Sequence, residues 1–211
     1  MAEQHYVTDE EQAEKIKSWL KENGSSLITG LALGLAIIFG WQWWQGHRTA
    51  QAETASLHYE ILVDAATARD TNRALTQLEI LLDDFDDSPY AVLASLRMAR
   101  LAVEQEQLER AADHLNWVLD NAQQPQLRDI ARLRLARVEL VQERYDQALS
   151  QLQAVEGTGF TAQVAELRGD ILAAQGQPRQ AREAYQNALA ARGIEGTGLL
   201  QLKLDNLPVE E

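Results

Sequence analysis

The chain has 211 residues and a net charge of −13, from 19 Lys and Arg against 32 Asp and Glu, and it contains no cysteine. This excess of negative charge argues against binding to nucleic acid, because the phosphates would be repelled. The absence of cysteine excludes a disulfide framework, a zinc–thiolate site and a thiol nucleophile.

The first predicted element is an amphipathic segment, residues 1–24, that we expect to lie in the cytoplasm. Thr8 and Glu11 have the spacing of a capping box, which predicts the start of a helix. One face of this helix is apolar and consists of Ile16, Trp19 and Leu20. Asn23 and Gly24 then predict its end. We interpret the segment as an interfacial anchor beside a membrane, with docking to a cytoplasmic partner as the alternative.

Residues 25–46 are predicted to form a transmembrane helix. From Ser25 to Trp44 the chain has twenty residues without a charge, and at about 1.5 Å per residue a helix of this length spans roughly 30 Å, the hydrocarbon core of a bilayer. Indole rings favour the head-group boundary, and the predicted membrane-interface anchors are Trp19, Trp41, Trp43 and Trp44. Two alternatives stay open: a cleaved signal peptide, for which Ala50-Gln51-Ala52 supplies small residues, and a buried core helix.

Charges that flank the apolar segment predict its orientation. Lys15, Lys17 and Lys21 precede it, whereas Arg48 alone follows it closely. Because cationic residues are retained on the cytoplasmic side, the N-terminus is predicted to be cytoplasmic. Residues 47–211 should then form an extracytoplasmic domain, which in a bacterium lies in the periplasm or at the outer face of the membrane, and we expect the periplasm.

Beyond residue 49 the sequence repeats itself. The segment from Leu96 to Arg100 returns thirty-seven residues later as the segment from Leu133 to Arg137. A period near 34 residues with two helical patterns in each unit is typical of a helix-turn-helix solenoid. The predicted helix pairs are 50–70 with 72–86, 88–105 with 108–121, 126–142 with 145–155, and 161–175 with 178–191. A further run, Leu200 to Leu207, is predicted to cap the open end.

The fourth unit resembles a tetratricopeptide repeat most closely. Its small and large residues occupy the positions at which that repeat brings two helices together; they are Gly169, Leu172, Gly176, Ala181, Tyr185 and Ala188. The predicted fold is therefore all-α. It consists of a single N-terminal transmembrane helix, a tetratricopeptide-repeat-like α-solenoid of about four helix pairs, and a C-terminal capping helix.

No catalytic, cofactor-binding or metal-binding residues are predicted. The four histidines are scattered without the close spacing of a metal site, and the acidic run from Asp83 to Asp87 lacks the glycine and the distal glutamate of an EF-hand. Two similar loops, 155–160 and 194–199, lack the lysine of a phosphate-binding loop. We therefore expect a protein that is not an enzyme.

The predicted binding surface is the concave face of the solenoid, which is lined by the first helix of each unit. Its candidate residues are Leu96, Arg100, Val103, Leu133, Arg137 and Leu140. Alternating apolar and arginine side chains suit an extended or helical polypeptide, because arginine forms forked hydrogen bonds to carboxylates or carbonyls. The alternative is that these arginines pair with the acidic residues of the domain itself.

The order of these parts resembles the YfgM family over the whole chain. The specific segments are 6–12, 16–24 and the terminal run 202–207. The resemblance implies an ancillary subunit of the SecYEG translocon in the inner membrane of Gram-negative bacteria, partnered with the membrane-anchored chaperone PpiD. It also implies transfer of translocating polypeptides to periplasmic chaperones and, from the cytoplasmic side, restraint of the Rcs stress regulator.

Two functions from different classes remain open at this point. The first is an adaptor at the translocon, which the anchor, the acidic repeat domain and the resemblance over the whole chain favour. The second is a membrane-anchored scaffold for another cell-envelope complex, such as one for the cell wall, division or outer-membrane assembly. The architecture alone allows both, and it does not predict an oligomeric state.

Overall fold

The computed structural model describes residues 9–192 and 198–208, which form helices joined by short turns. The helices are α1 (Asp9–Thr67), α2 (Thr71–Asp84), α3 (Pro89–Glu104), α4 (Leu108–Asn121), α5 (Pro125–Val141), α6 (Tyr145–Gln153), α7 (Thr161–Ala174), α8 (Pro178–Arg192) and α9 (Gly198–Asp205). A short 3₁₀ helix, Thr158–Phe160, precedes α7. These two ranges contain no strand, so the predicted all-α fold is confirmed.

The described residues fall into two compact units, which divide between Gln51 and Ala52. In the first unit α1 continues through Asn23 and Gly24, so the predicted helix end at these residues is wrong. A glycine costs a helix about 1 kcal/mol relative to alanine but ends it only where the backbone turns left-handed. Asn23 Nδ2 instead donates to the Trp19 carbonyl oxygen of the same helix at 3.0 Å. Thr8, half of the predicted capping box, lies outside the described residues.

No single uninterrupted helix in the described ranges is both long and apolar enough to cross a membrane. Two consecutive parts of α1, Gln12–Ser26 and Ile28–Thr67, are together long and apolar enough for a membrane span, by length and composition alone. They meet at a bend of 46°. Many large apolar side chains in the second part are exposed within the chain, among them Ile28, Leu31, Ile37 and Phe39. The transmembrane helix at 25–46 stays a prediction.

In its described residues the second unit contains four helix pairs, each joined by the same turn, and α9 follows them. The end of α1 pairs with α2, α3 with α4, α5 with α6, and α7 with α8. One residue of each turn is left-handed, and these residues are Arg69, Glu106, Glu143 and Gly176. In the second turn the Gln107 amide donates to the Ala102 carbonyl at 2.8 Å and the Glu106 amide to Val103 at 3.0 Å. These are the two bonds of a Schellman motif. The predicted helix pairs are therefore confirmed, with ends that differ by a few residues.

Close packing of each pair depends on small residues at equivalent positions. The first alanine in the second helix of every pair is fully buried: Ala74, Ala111, Ala148 and Ala181. A large residue follows one turn later and is buried as well: Leu78, Leu115, Leu152 and Tyr185. In the fourth pair a methyl group on Gly169 would lie 2.4 Å from the Tyr185 ring. Glycine is therefore required there by close approach.

Helix α9 covers the end of the fourth pair. Leu200 and Leu207 are buried in one cluster with α7 and α8, whose members include Leu172, Ala181, Tyr185 and Ala188. Lys203 Nζ donates to both carboxylate oxygens of Asp170 at 2.8 Å and to Glu166 Oε1 at 2.9 Å. Burial alone would lower the pKa of Lys203, but these hydrogen bonds outweigh it and raise the pKa. The predicted capping helix is thus confirmed.

Candidate partner-binding groove

An apolar groove of about 290 Å³ lies between α3, α4 and α5. It is lined by Ala99, Arg100, Val103, Leu108, Leu115, Arg134, Arg137, Val138 and Val141. Ala99, Leu115 and Val138 are buried and form its floor, whereas Val103 and Val141 are 43% and 67% exposed at its rim. The groove therefore presents exposed apolar surface beside three cationic side chains.

Three of the six predicted binding residues, Arg100, Val103 and Arg137, lie together in this groove. Leu96 and Leu133 are instead buried, at 6% and 5% exposure. Residues four apart share one side of a helix, and here that side lies at the boundary of the core, so the leucines pack inward while the longer arginines extend outward. Because Leu96 and Leu133 offer little contact surface, fewer of the predicted residues are available to a partner than the sequence suggested.

The sixth predicted residue, Leu140, lies elsewhere. It is partly buried against the hydrophobic cluster that joins α5, α6 and α7, and it does not line the groove. Its repeat counterpart Val103 is a groove residue. The difference arises because α3 and α5 have different neighbours. Val103 on α3 faces the groove that α5 borders, whereas Leu140 on α5 packs against the hydrophobic cluster that includes residues of α7.

Arg134 and Val141 were not predicted, although they line the groove. Arg134 Nη1 donates to the Leu96 carbonyl oxygen at 3.3 Å, so its side chain crosses from α5 to α3. Its repeat counterpart Arg97 donates to Thr67 Oγ1 on α1 at 3.0 Å. The signal was present in the sequence, because both arginines of the repeated segment recur and not only the second.

The guanidinium groups of the groove influence one another. Burial lowers the pKa of Arg134, and the charges of Arg137 and Arg100 lower it further. Arg100 Nε pairs with Glu104 Oε1 at 2.7 Å, and this hydrogen bond is the largest cause of a lowered pKa at Glu104. Among the described residues, Arg137 has no hydrogen bond or ion pair. Pairing with acids in the described part of the domain therefore applies to Arg100 and not to Arg137.

The predicted interface tryptophans lie on α1 in the first unit. Trp19, Trp41, Trp43 and Trp44 are all exposed. The Trp41 and Trp44 ring centroids are 5.1 Å apart, and the Arg48 guanidinium lies 4.9 Å from the Trp44 centroid. Such an exposed indole and arginine cluster has the chemistry that suits a lipid head-group layer. The role of these residues as membrane anchors stays a prediction.

Other sites in the described ranges offer less. No group of three or more His, Asp and Glu side chains there could hold a metal ion. A cavity of about 410 Å³ along α7 and α8 has a mixed lining in which Arg168, Glu183 and Asn187 take part. An apolar surface with a charged rim is the commoner form of a protein interface, so the groove is the better candidate for partner contact.

Comparisons with known proteins agree with the observed fold and identify the protein family. Residues 17–209 match the family model of the tetratricopeptide repeat-like domain. The chain is 31% identical to the ancillary SecYEG translocon subunit of Escherichia coli (strain K12), an alignment that covers 97% of this chain and 98% of that protein. It is 32% identical to the protein of the same name from Haemophilus influenzae, with 95% and 98% covered.

A solved structure with a similar fold is the crystal structure of MamA protein. The TM-score is 0.58 at 16% sequence identity, and the match covers 72% of this chain and 79% of that one. At this level of identity the likeness concerns the arrangement of helices alone.

Proposed function

Because the chain belongs to the tetratricopeptide repeat-like family of ancillary SecYEG translocon subunits, we propose that it associates with the SecYEG translocon as an adaptor. The observation that carries this proposal is similarity along almost the whole length, 95–97% of this chain. An alignment of that extent includes α1 as well as the repeat domain, whereas a repeat domain alone would be generic. The family's fold is that of an interaction protein and not of an enzyme.

In this proposal the repeat domain receives polypeptides that leave the translocon and passes them to a PpiD-like periplasmic chaperone. The groove between α3 and α5 supports this step, because it combines exposed valines with arginines that can bind a polypeptide chain. Restraint of the Rcs regulator by residues 1–24 is the cytoplasmic part of the proposal, and the family resemblance alone supports it.

The proposed location is the bacterial inner membrane, with residues 25–46 spanning it once and residues 47–211 in the periplasm. The lysines before the apolar segment and the exposed apolar side chains of α1 support this topology. Protease added to spheroplasts should remove everything beyond Arg48 and leave the N-terminal segment. A protected repeat domain, or a mature chain that starts at Glu53, would contradict the topology.

Copurification in mild detergent tests the association itself. The tagged full-length chain should retain SecYEG and a PpiD-like chaperone, while an unrelated tagged protein with one membrane span, produced at the same level, should retain neither. Recovery of cell-wall or division proteins in place of the translocon would contradict the proposal and favour the scaffold function.

A further inference from the structure

The groove residues Arg100 and Arg137 occupy the same position in successive repeats, thirty-seven residues apart, but their surroundings differ. Four residues after Arg100 comes Glu104, whose carboxylate pairs with Arg100 Nε at 2.7 Å. Four residues after Arg137 comes Val141, which is 67% exposed at the groove rim. Residues four apart are neighbours on a helix surface. The second unit therefore neutralises its arginine within one helix, and the third unit does not.

The fourth unit supplies a further comparison. Its residue at this position is Asp170, thirty-three residues after Arg137, which is the spacing between the turn residues Glu143 and Gly176. Lys203 of α9 pairs with Asp170 at 2.8 Å. In the second and fourth units the charged side chain at this position thus forms an ion pair with another residue of the same chain. In the third unit Arg137 lines a groove whose other charged members, Arg100 and Arg134, have the same sign.

We propose that this groove binds a polypeptide segment in which an acidic side chain lies beside bulky apolar ones. The carboxylate binds Arg137, and the apolar groups contact Val103, Leu108 and Val141. This inference rests on the proposed function, since it specifies which polypeptides the adaptor holds. An arginine can hold a carboxylate through two parallel hydrogen bonds, and a negative charge there would offset the mutual repulsion of the three guanidinium groups.

Size and charge both fit such a segment. The groove volume of about 290 Å³ is roughly twice the cavity of about 150 Å³ that accommodates benzene in another protein, so it has room for more than one apolar side chain. Residues 49–211 carry 15 Lys and Arg against 26 Asp and Glu, a net charge of −11. The cationic rim is therefore a local reversal of the domain's charge, and it favours an acidic segment that the remaining surface repels.

Peptide binding to the full-length chain in detergent micelles tests the chemistry. The probe is a short fluorescein-labelled peptide in which leucine alternates with aspartate, and binding is followed by fluorescence anisotropy. We expect affinity to fall at least about tenfold when asparagine replaces aspartate, and also when serine replaces leucine. Equal affinity for the aspartate and asparagine peptides, or no binding of the aspartate peptide, would overturn the inference.

Two substitutions at one exposed position separate charge from shape. Val141→Glu places a carboxylate four residues after Arg137, as Glu104 lies after Arg100, and should weaken binding of the aspartate peptide at least about tenfold. Val141→Gln loses the same apolar contact and has the same length without the charge, so it should bind the aspartate peptide at least about threefold more tightly than Val141→Glu. Arg137→Gln removes the proposed ligand of the carboxylate and should match Val141→Glu. Wild-type affinity in Val141→Glu, or an equal loss in Val141→Gln, would overturn the charge pairing.

Copurification of SecYEG with the wild-type chain distinguishes the two levels of the proposal. If SecYEG is retained but the peptides bind without preference, the groove inference fails and the translocon association stands. If SecYEG is not retained, the proposed function fails, whatever the peptides show. Circular dichroism melting of the variants shows whether they fold, and the exposure of Val141 leads us to expect unchanged melting.

Discussion

Four residues hold the left-handed conformation that joins the paired helices, and they are chemically unlike. Gly176 has no side chain, whereas Arg69, Glu106 and Glu143 carry long charged ones at φ angles of 59–60°. A left-handed residue other than glycine costs roughly 1 to 2 kcal/mol. Each of these four turns retains both backbone hydrogen bonds of the Schellman motif, and these bonds offset the cost of the left-handed residue.

This conformation predicts opposite results for opposite exchanges. Gly176→Ala should lower the free energy of unfolding by about 1 kcal/mol, although a methyl group there would meet no atom within 4 Å. Glu106→Gly and Glu143→Gly should not lower it, because relief of strain offsets the greater entropy of the unfolded chain, and neither side chain has a hydrogen bond or ion pair in the described ranges. Urea denaturation of the three variants measures the difference, and a stable Gly176→Ala would refute this account.

Lys203 gives the cap a dependence on alkaline pH. Its pKa is raised in the folded chain above the ordinary 10.5, so its stabilising contribution is complete below that pH and is lost as the pH rises through the folded value. Burial, with a hydrogen bond to Asp170, also raises the pKa of Tyr185, and that contribution is lost in the same direction. Lys203→Met should therefore cost about 1 to 3 kcal/mol at neutral pH, with a gap from the wild type that narrows above about pH 10.5.

Thermal melting between pH 7 and 11.5 can follow this gap. Lys203→Arg is the matched control, because arginine keeps the charge at alkaline pH, and its stability should decline later than that of the wild type. A gap between Lys203→Met and the wild type that stays constant across this range would mean that the ion pairs with Asp170 and Glu166 do not stabilise the cap.

The helix pairs differ in how they fill the same internal space. In the second and third pairs an alanine on the first helix and a leucine on the second are buried at equivalent positions: Ala99 with Leu115, and Ala136 with Leu152. In the fourth pair these positions hold Gly169 and Tyr185. The smaller residue on one helix thus accompanies the larger on the other, and the total volume is roughly conserved.

An exchange of both residues tests this compensation. Gly169→Ala alone should destabilise the chain by about 1 to 3 kcal/mol, because the new methyl group overlaps the Tyr185 ring. Tyr185→Leu alone should destabilise it by leaving a cavity and by removing the hydrogen bond to Asp170. The double variant reproduces the alanine and leucine of the other pairs, so it should be more stable than the sum of the single effects predicts. Strict additivity in a double-mutant cycle would contradict the compensation.

Asp129 shows what the repeat could not predict at this scale. Its carboxylate is 2% exposed and accepts hydrogen bonds from the amide of Gly157 at 2.9 Å and from Arg132 Nη1 at 3.0 Å. It therefore holds the loop between α6 and α7 in place. The counterparts of Asp129 in the neighbouring units are Val92 and Ala162, so no periodic pattern identified it.

For the whole molecule, the fold was predictable where one unit could be compared with the next. The recurring alanines and the turn positions located every helix pair, because each unit solves the same packing problem. Periodicity indicates which side of a helix is apolar, but it does not indicate how far a neighbouring helix covers that side, and the burial of Leu96 and Leu133 therefore escaped prediction. Asn23 and Gly24 escaped it as well, because no comparable unit shows whether a glycine there bends or ends the helix.

The short helix α9 has a consequence for assembly. Repeat units stack because each leaves an apolar face that the next unit covers, and here Leu200 of α9 and Leu207, just after the helix, cover the last face. A chain that ends at Arg192 would leave this face exposed. Another copy would then contact it through a different surface, and such a head-to-tail contact can continue from copy to copy without forming a closed ring. Sedimentation of the shortened chain should reveal species that lengthen with concentration. The short segment from Gly198 to Leu207 thus ends the stack of repeats and prevents it from continuing into another copy.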